Sequence, residues 1–316
     1  MMNRSYYLSL LCVLWCVTTA EAQLEGTPGA FARMGFGARG MGMGNAMTAV
    51  STPDIAGYYN PAAIAFQTTR TAMLSYGALS LDRSFNTLNY TQAIGPNAGV
   101  SLSVINAGVK NIDGRDGDGF QTGMLTTSEN QFALSFGLRP SKRFAIGITP
   151  KIYYTRLYTD VTTSSIGMDF GMMILLSEKF TVGLAIRDVM SKYKWDTSTL
   201  YGQQGNTTID KFPTLNIIGV SYEIGEKMGV VSAEIESSNK STTTIRMGGE
   251  FNVIDEFSVR AGLDHWDLDN AKAAAPTFGF TVRTAIGSMK PAIHYAYVIE
   301  PYNYFAMHII SLSTGF

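Results

Sequence analysis

Three histidines, two cysteines and a short run of aspartates are the places in this 316-residue chain where chemistry would be sought first. Cys12 and Cys16 lie together near the start. They are too few for a disulfide scaffold, and no Cys/His cluster has metal-ligand spacing. His265, His294 and His308 fall on separate segments, and no nucleophile elbow accompanies them. A lumen serine beside His294 would be the one place for ester chemistry. Asp113, Asp116 and Asp118 share a glycine-rich stretch, and oxygen ligands on such a loop suit calcium. Their spacing is not that of an EF-hand, so a solvated loop is the competing expectation. Gly35-Phe36-Gly37-Ala38-Arg39-Gly40 matches the dinucleotide fingerprint as a string, but no strand precedes it and no βαβ unit surrounds it. No enzyme, cofactor or bound metal is expected. With 24 basic residues against 25 acidic ones there is no electrostatic footprint for nucleic acid either.

The elements that must carry these residues are strands. Phe180, Val182, Leu184 and Ile186 alternate with Thr181, Gly183, Ala185 and Arg187. The same period of two runs through Phe132–Leu138, Ile245–Phe251, Phe257–Leu263 and Phe278–Val282. One face is apolar and often aromatic, the other small, polar or charged. A soluble sandwich buries the apolar face; an outer-membrane barrel turns it to lipid and lines its interior with the polar one.

Strand length and loop asymmetry separate the two. Candidate strands fall at 69–80, 84–94, 98–109, 127–139, 142–158, 164–176, 179–189, 212–224, 228–237, 242–252, 256–266, 275–286, 289–299 and 303–316. Most are longer than the ~5–6 residues usual in soluble sheets and match the ~9–11 of tilted membrane strands. Tight turns such as Gly95-Pro96-Asn97 and Ser177-Glu178 alternate with longer connections at 110–126, 190–211 and 267–274. This predicts an all-β fold, a transmembrane antiparallel β-barrel of about fourteen strands with both termini on the short-turn side. Phe316 closes the last alternating strand, as in the signal read by barrel-assembly machinery.

The N-terminus points the same way. Arg4, the apolar run Tyr6–Val17 and Ala20-Glu21-Ala22 form a secretory signal peptide at residues 1–22. Cleavage would leave Gln23 first and remove both cysteines. Residues 68–316 are then the barrel, in contact with outer-membrane lipids. Residues 23–67 do not alternate and read as a small glycine-rich plug containing short helices. Asn60 caps one of these, with Pro61 in its first turn.

Alternation turns Asp169, Arg187, Glu234, Arg246, Glu250, Arg260, Asp264 and Arg283 inward, and Lys151 with them. Hairpin turns put Glu250 opposite Arg260 and Glu234 opposite Arg246, a neutralised charge network in the lumen. His294 also faces inward, His265 and His308 outward. Tyr153, Tyr154, Tyr158, Tyr193, Trp195, Tyr201 and Trp266 are expected at the outer interface, and Tyr295, Tyr297, Tyr302 and Tyr304 around the last long connection.

Gly37-Ala38-Arg39-Gly40-Met41-Gly42-Met43-Gly44-Asn45-Ala46, followed by Tyr58-Tyr59-Asn60-Pro61-Ala62, resembles the opening of FadL-like outer-membrane proteins, and within them the PorV/PorQ group. Gly183-Leu184-Ala185-Ile186-Arg187-Asp188, Arg246-Met247-Gly248-Gly249-Glu250-Phe251 with Arg260-Ala261-Gly262, and His308-Ile309-Ile310-Ser311-Leu312 extend the resemblance over most of the chain. It implies a fourteen-stranded barrel with an N-terminal plug, in the cell outer membrane. It further implies a part in type IX protein secretion, with secreted proteins or secretion-system components as partners. The alternative is uptake of a hydrophobic small molecule, as in the FadL branch.

Overall fold

The computed structural model describes residues 26–51, 56–158, 160–226, 228–268, 274–299 and 306–316. The signal peptide expected at residues 1–22, Tyr302 and Tyr304 lie outside these.

Strand formation follows the alternation. The chain builds β1 (Thr71–Ala78), β2 (Arg83–Ile94), β3 (Ala98–Arg115), β4 (Gln121–Ser141), β5 (Phe144–Tyr158), β6 (Val161–Leu175) and β7 (Phe180–Val189). A hairpin of β8 (Lys192–Asp196) and β9 (Thr207–Lys211) follows. Then come β10 (Leu215–Ile224), β11 (Gly229–Ser238), β12 (Thr243–Ile254), β13 (Phe257–Asp267), β14 (Ala275–Arg283), β15 (Lys290–Val298) and β16 (Met307–Gly315). All but β8 and β9 form one closed antiparallel barrel of fourteen strands. Closure is made by β1 against β16, from Thr71 opposite Gly315 to Ala78 opposite His308. Both edges of every barrel strand are thereby paired, as a hydrocarbon surround demands.

The two faces differ as lipid and lumen differ. Leu74, Leu88, Phe132, Phe136, Ile152, Ile218, Phe278 and Ile310 stand exposed on the outside, while Ser75, Ser101, Ser135, Thr149, Ser221 and Thr277 are buried inside. An apolar band of that extent would be a liability in water and is the requirement in a bilayer. No described helix is long and apolar enough to cross a membrane.

Two expected loops turn out to carry structure. The stretch 110–126 is largely a continuation of the β3–β4 ladder, which runs on past a register shift to Arg115 opposite Gln121. Its Gly, Asp and Asn content reads as loop, yet a tall antiparallel hairpin needs no apolar face once it stands in water. The stretch 190–211 contains the β8–β9 hairpin, which folds inward over the mouth. Thr163 Oγ1 on the inward face of β6 donates to Lys194 O at 2.9 Å and accepts from Lys194 N at 3.1 Å. Ser165 Oγ accepts from Lys192 N at 3.0 Å. The β6–β7 ladder reaches up only to Met168 opposite Val189, so this hairpin covers the place where β7 has already left the wall.

The plug occupies the lumen. It comprises a 3-10 turn (Ala30–Arg33), a short helix (Gly37–Gly42), a helical turn (Ala56–Tyr59) and a 3-10 helix (Pro61–Phe66). Asn60 caps the last, its Oδ1 accepting from Ala62 N at 3.0 Å, with Pro61 following. The cap is where the sequence puts it, and the short helix it opens is of the 3-10 type.

Candidate functional site: the plugged lumen

The plug sits on glycines. Gly99, Gly137, Gly147 and Gly171 stand side by side on β3, β4, β5 and β6. Their missing side chains make a seat for Pro61–Ala65: Gly137 faces Ala65 N and Pro61 O, and Gly147 faces the Pro61 carbonyl and Ala62 N. Gly248 and Gly262, paired across β12 and β13, do the same for Met43 and Gly44. Gly183 and Gly219, paired across β7 and β10, face Thr48.

The plug glycines work from the other side. Gly40 lies against the Tyr59 hydroxyl and Gly42 against the Arg260 stem. Gly37 and Gly44 take positive φ, at 67° and 61°, and Gly44 also abuts the carbonyls of Leu263 and Met247, so a side chain there is excluded twice. Thr277 Oγ1 accepts from Gly44 N at 3.0 Å and donates to Gly42 O at 3.1 Å. Asn60 Nδ2 donates to Thr48 O at 2.8 Å and to Met172 O at 3.1 Å, joining two plug segments to the wall.

Charged side chains form three buried groups. Lys151 bridges Asp169 at 2.6 Å and Asp188 at 3.2 Å, and Arg187 lies 3.9 Å from Asp169 while stacking over the plug's Tyr58 ring at 4.4 Å. Arg246 meets three carboxylates: Glu234 at 3.2 Å, Glu236 at 2.7 Å and Asp264 at 2.9 Å. Glu250 takes Arg39 of the plug at 2.7 Å, Arg260 at 3.0 Å and the partly exposed Arg283 at 3.8 Å. The ladders set Glu234 opposite Arg246 and Glu250 opposite Arg260.

Two bulges complete these groups in a way alternation cannot foresee. Arg187 and Asp188 together oppose the single residue Asp169, and Asp264 and His265 together oppose Arg246. Asp188 and His265 have positive φ, at 60° and 50°. The extra residue re-aims a side chain that simple alternation points outward. Asp188 is thereby buried, accepting from the Tyr153 hydroxyl. His265, expected outward, has Nδ1 at 2.7 Å from Asp264 and Nε2 at 3.1 Å from Arg246.

The plug is tied into the second group. Asn45 Nδ2 donates to Asp264 at 2.7 Å, and Thr48 N to Glu234 at 3.0 Å. Tyr59 donates to Asn45 Oδ1 at 2.6 Å. Burial, with Tyr58 beside it, pushes the Tyr59 hydroxyl well above the usual phenol range, so it stays protonated and donates. Arg33, Asn45, Thr48, Tyr58, Arg187, Glu234, Glu236 and Arg246 help line a cavity of about 10 Å³, room for one water. An aqueous pore does not pass here.

Above the charges the lumen is aromatic. Trp195, Tyr193, Phe212, Tyr153 and Phe31 form a column with successive centroid separations of 5.3, 4.7, 4.9 and 6.4 Å. Phe36 stacks on Tyr58 at 5.0 Å. Tyr153 and Tyr193 are therefore interior, not interfacial as expected. Tyr153 lies on the inward phase of β5, and Tyr193 rides on the infolded hairpin. Tyr154, Tyr158, Tyr201 and Trp266 are exposed, and Tyr297 is exposed beside His308.

His294 is inward, between Thr281 Oγ1 and Ser313 Oγ, both at 2.8 Å. In the aspartate-rich stretch Asp113 bridges Arg115 at 2.7 Å, and Asp116 accepts from Asp118 N and Phe120 N. No metal-binding group of side chains occurs among the described residues. Phe316 is half exposed and its amide donates to Arg70 O at 3.0 Å.

Solved structures share this closed barrel. The chain superposes on the Pseudomonas putida toluene transporter TodX with a TM-score of 0.61, at 11% identity, over 89% of this chain and 96% of that one. The Ralstonia pickettii toluene transporter TbuX gives 0.61 at 12%, covering 89% and 98%. A Pseudomonas aeruginosa FadL homologue gives 0.60 at 13%, again over 89% and 98%. No protein-family model matches the chain, and no curated protein matches it. The fold is FadL-like.

Proposed function

We propose that this protein is a non-enzymatic channel of the outer membrane that takes up hydrophobic small molecules. The observation that carries the reading is the aromatic column, which runs from half-buried Trp195 down to the plug's Phe31 and offers apolar surface where an aqueous pore would offer water. The infolded hairpin covers a place where β6 and β7 no longer pair, which gives a solute access at the wall as well as at the mouth. The structural neighbours named as toluene transporters support the same reading. Wall–plug ion pairs hold the closed state, and charges of both signs in the lumen suit no ion-selective pore. A cleaved signal peptide delivers the chain, and Phe316 serves its insertion by the assembly machinery.

The test is uptake of a labelled alkylbenzene by cells lacking the protein and by cells complemented with it. Slower uptake on deletion, restored by complementation, is the expected result; equal rates would refute the reading. The finer PorV/PorQ placement and a role in type IX secretion rest on the motifs at Gly37–Ala46 and Tyr58–Ala62. That reading predicts instead that deletion traps exported proteins in the periplasm and that pull-down recovers secretion components.

A further inference from the structure

The wall of β2, β3, β4 and β5 holds a patch that packs against the plug through its apolar residues but whose Thr87, Gln131 and Glu129 take no part in the three charged groups. Two cross-strand rows of inward side chains define it. One row reads Thr87, Ile105, Gln131, Tyr153; the next reads Phe85, Ala107, Glu129, Thr155. Tyr193 of the hairpin lies over the second row, its hydroxyl accepting from Thr155 Oγ1 at 2.9 Å. Strand spacing makes the patch roughly 10 Å wide between β2 and β4.

Two of its buried polar groups lack partners, as Asp188 Oδ2, Ser191 Oγ and Thr244 Oγ1 do elsewhere in the lumen. Thr87 and Gln131 are each 1% exposed, yet Thr87 Oγ1 and Gln131 Oε1 have no hydrogen-bond partner. Glu129, one inward step from Gln131, makes no hydrogen bond or ion pair with a described residue, although Arg33 of the plug influences it. An orphaned buried polar atom costs about 1–3 kcal/mol, so two on one wall call for an occupant. All three groups can accept, and the surfaces between them are apolar: Phe85, Ile105, Ala107 and the Tyr153 and Tyr193 rings. Tyr153 cannot supply the missing donor, because its hydroxyl already donates to Asp188.

We infer that this patch binds the polar end of the transported solute, and that the preferred solute is an apolar molecule bearing a neutral hydrogen-bond donor, such as a phenol or an alcohol. The inference rests on the uptake reading above. A plain hydrocarbon leaves the acceptors unpaired. A carboxylate brings a second negative charge beside Glu129, and neither row carries a lysine or arginine to offset it.

The experiment uses the purified full barrel in detergent, titrated calorimetrically with 4-propylphenol, propylbenzene and 4-propylbenzoate. The phenol should bind about 3- to 10-fold more tightly than propylbenzene, the worth of a single hydrogen bond, and the benzoate most weakly. In a Gln131→Leu, Thr87→Val double variant, shown to be folded by circular dichroism, the phenol-to-propylbenzene ratio should fall to near one. A wild-type ratio near one would mean that water occupies the patch and would overturn the inference while leaving the uptake reading intact. A preference that survives in the double variant, or tightest binding of the benzoate, would also overturn it. Failure of all three probes to bind would overturn the uptake reading and the inference together.

Discussion

Replacing Gly147 by alanine tests whether the plug is seated as described. An ideal Cβ at this position lies 2.6 Å from Pro61 O and closer still to the Pro61 carbonyl carbon and Ala62 N. All three are main-chain atoms, so no rotamer change relieves the contact. Either β5 moves out, straining its ladders with β4 and β6, or the 3-10 helix lifts off its seat. Overpacking of this kind costs about 1–3 kcal/mol. That is roughly a 5- to 150-fold change in the equilibrium between seated and displaced or unfolded forms, at 1.4 kcal/mol per factor of ten. Gly117→Ala is the matched control, because nothing lies within 4 Å of its added methyl and its φ is not positive. The assay has two arms, the thermal unfolding midpoint in detergent and single-channel conductance in a planar bilayer. Gly147→Ala should lower the midpoint or raise the conductance; Gly117→Ala should do neither. If Gly147→Ala matches wild type in both arms, the plug does not rest on this glycine row.

Other expectations follow from the same contacts. The intact barrel should show little ion conductance in a planar bilayer; large, stable porin-like steps would contradict a lumen filled by the plug. Arg246→Met strands Glu234, Glu236 and Asp264 without their common cation, and should cost about 3–5 kcal/mol. Protonating those carboxylates relieves the repulsion, so the variant should recover relative to wild type as the pH falls, read from unfolding midpoints across a pH series. At the exposed end of β8, hydrogen bonds from the Ser198 hydroxyl and amide hold the Asp196 carboxyl below its usual value. Ser198→Ala should move that group back up toward ordinary aspartate, measured by carbon NMR titration.

The barrel itself was determined by the sequence. A period of two over ten or more residues, with short and long connections in alternation, admits few structures, because a one-residue slip would put every Phe and Leu in the lumen and every Ser and Thr in lipid. All fourteen barrel strands form where the alternation locates them. The Asn60-Pro61 start was equally legible, since a cap acts within a few residues. What only the tertiary structure decided depends on partners distant in sequence. Asp188 and His265 turn inward because a bulge adds one residue to a ladder, and a bulge leaves the composition of its strand unchanged. Gly99, Gly137, Gly147 and Gly171 look like scattered weak points along four strands, and become a seat once register brings them abreast. Tyr193 carries the signature of an interfacial tyrosine until the hairpin folds it over Tyr153 and Phe212. The unpartnered Thr87 and Gln131 share that origin: each is an ordinary inward residue on its own strand, and their isolation is visible only when everything packed around them is known.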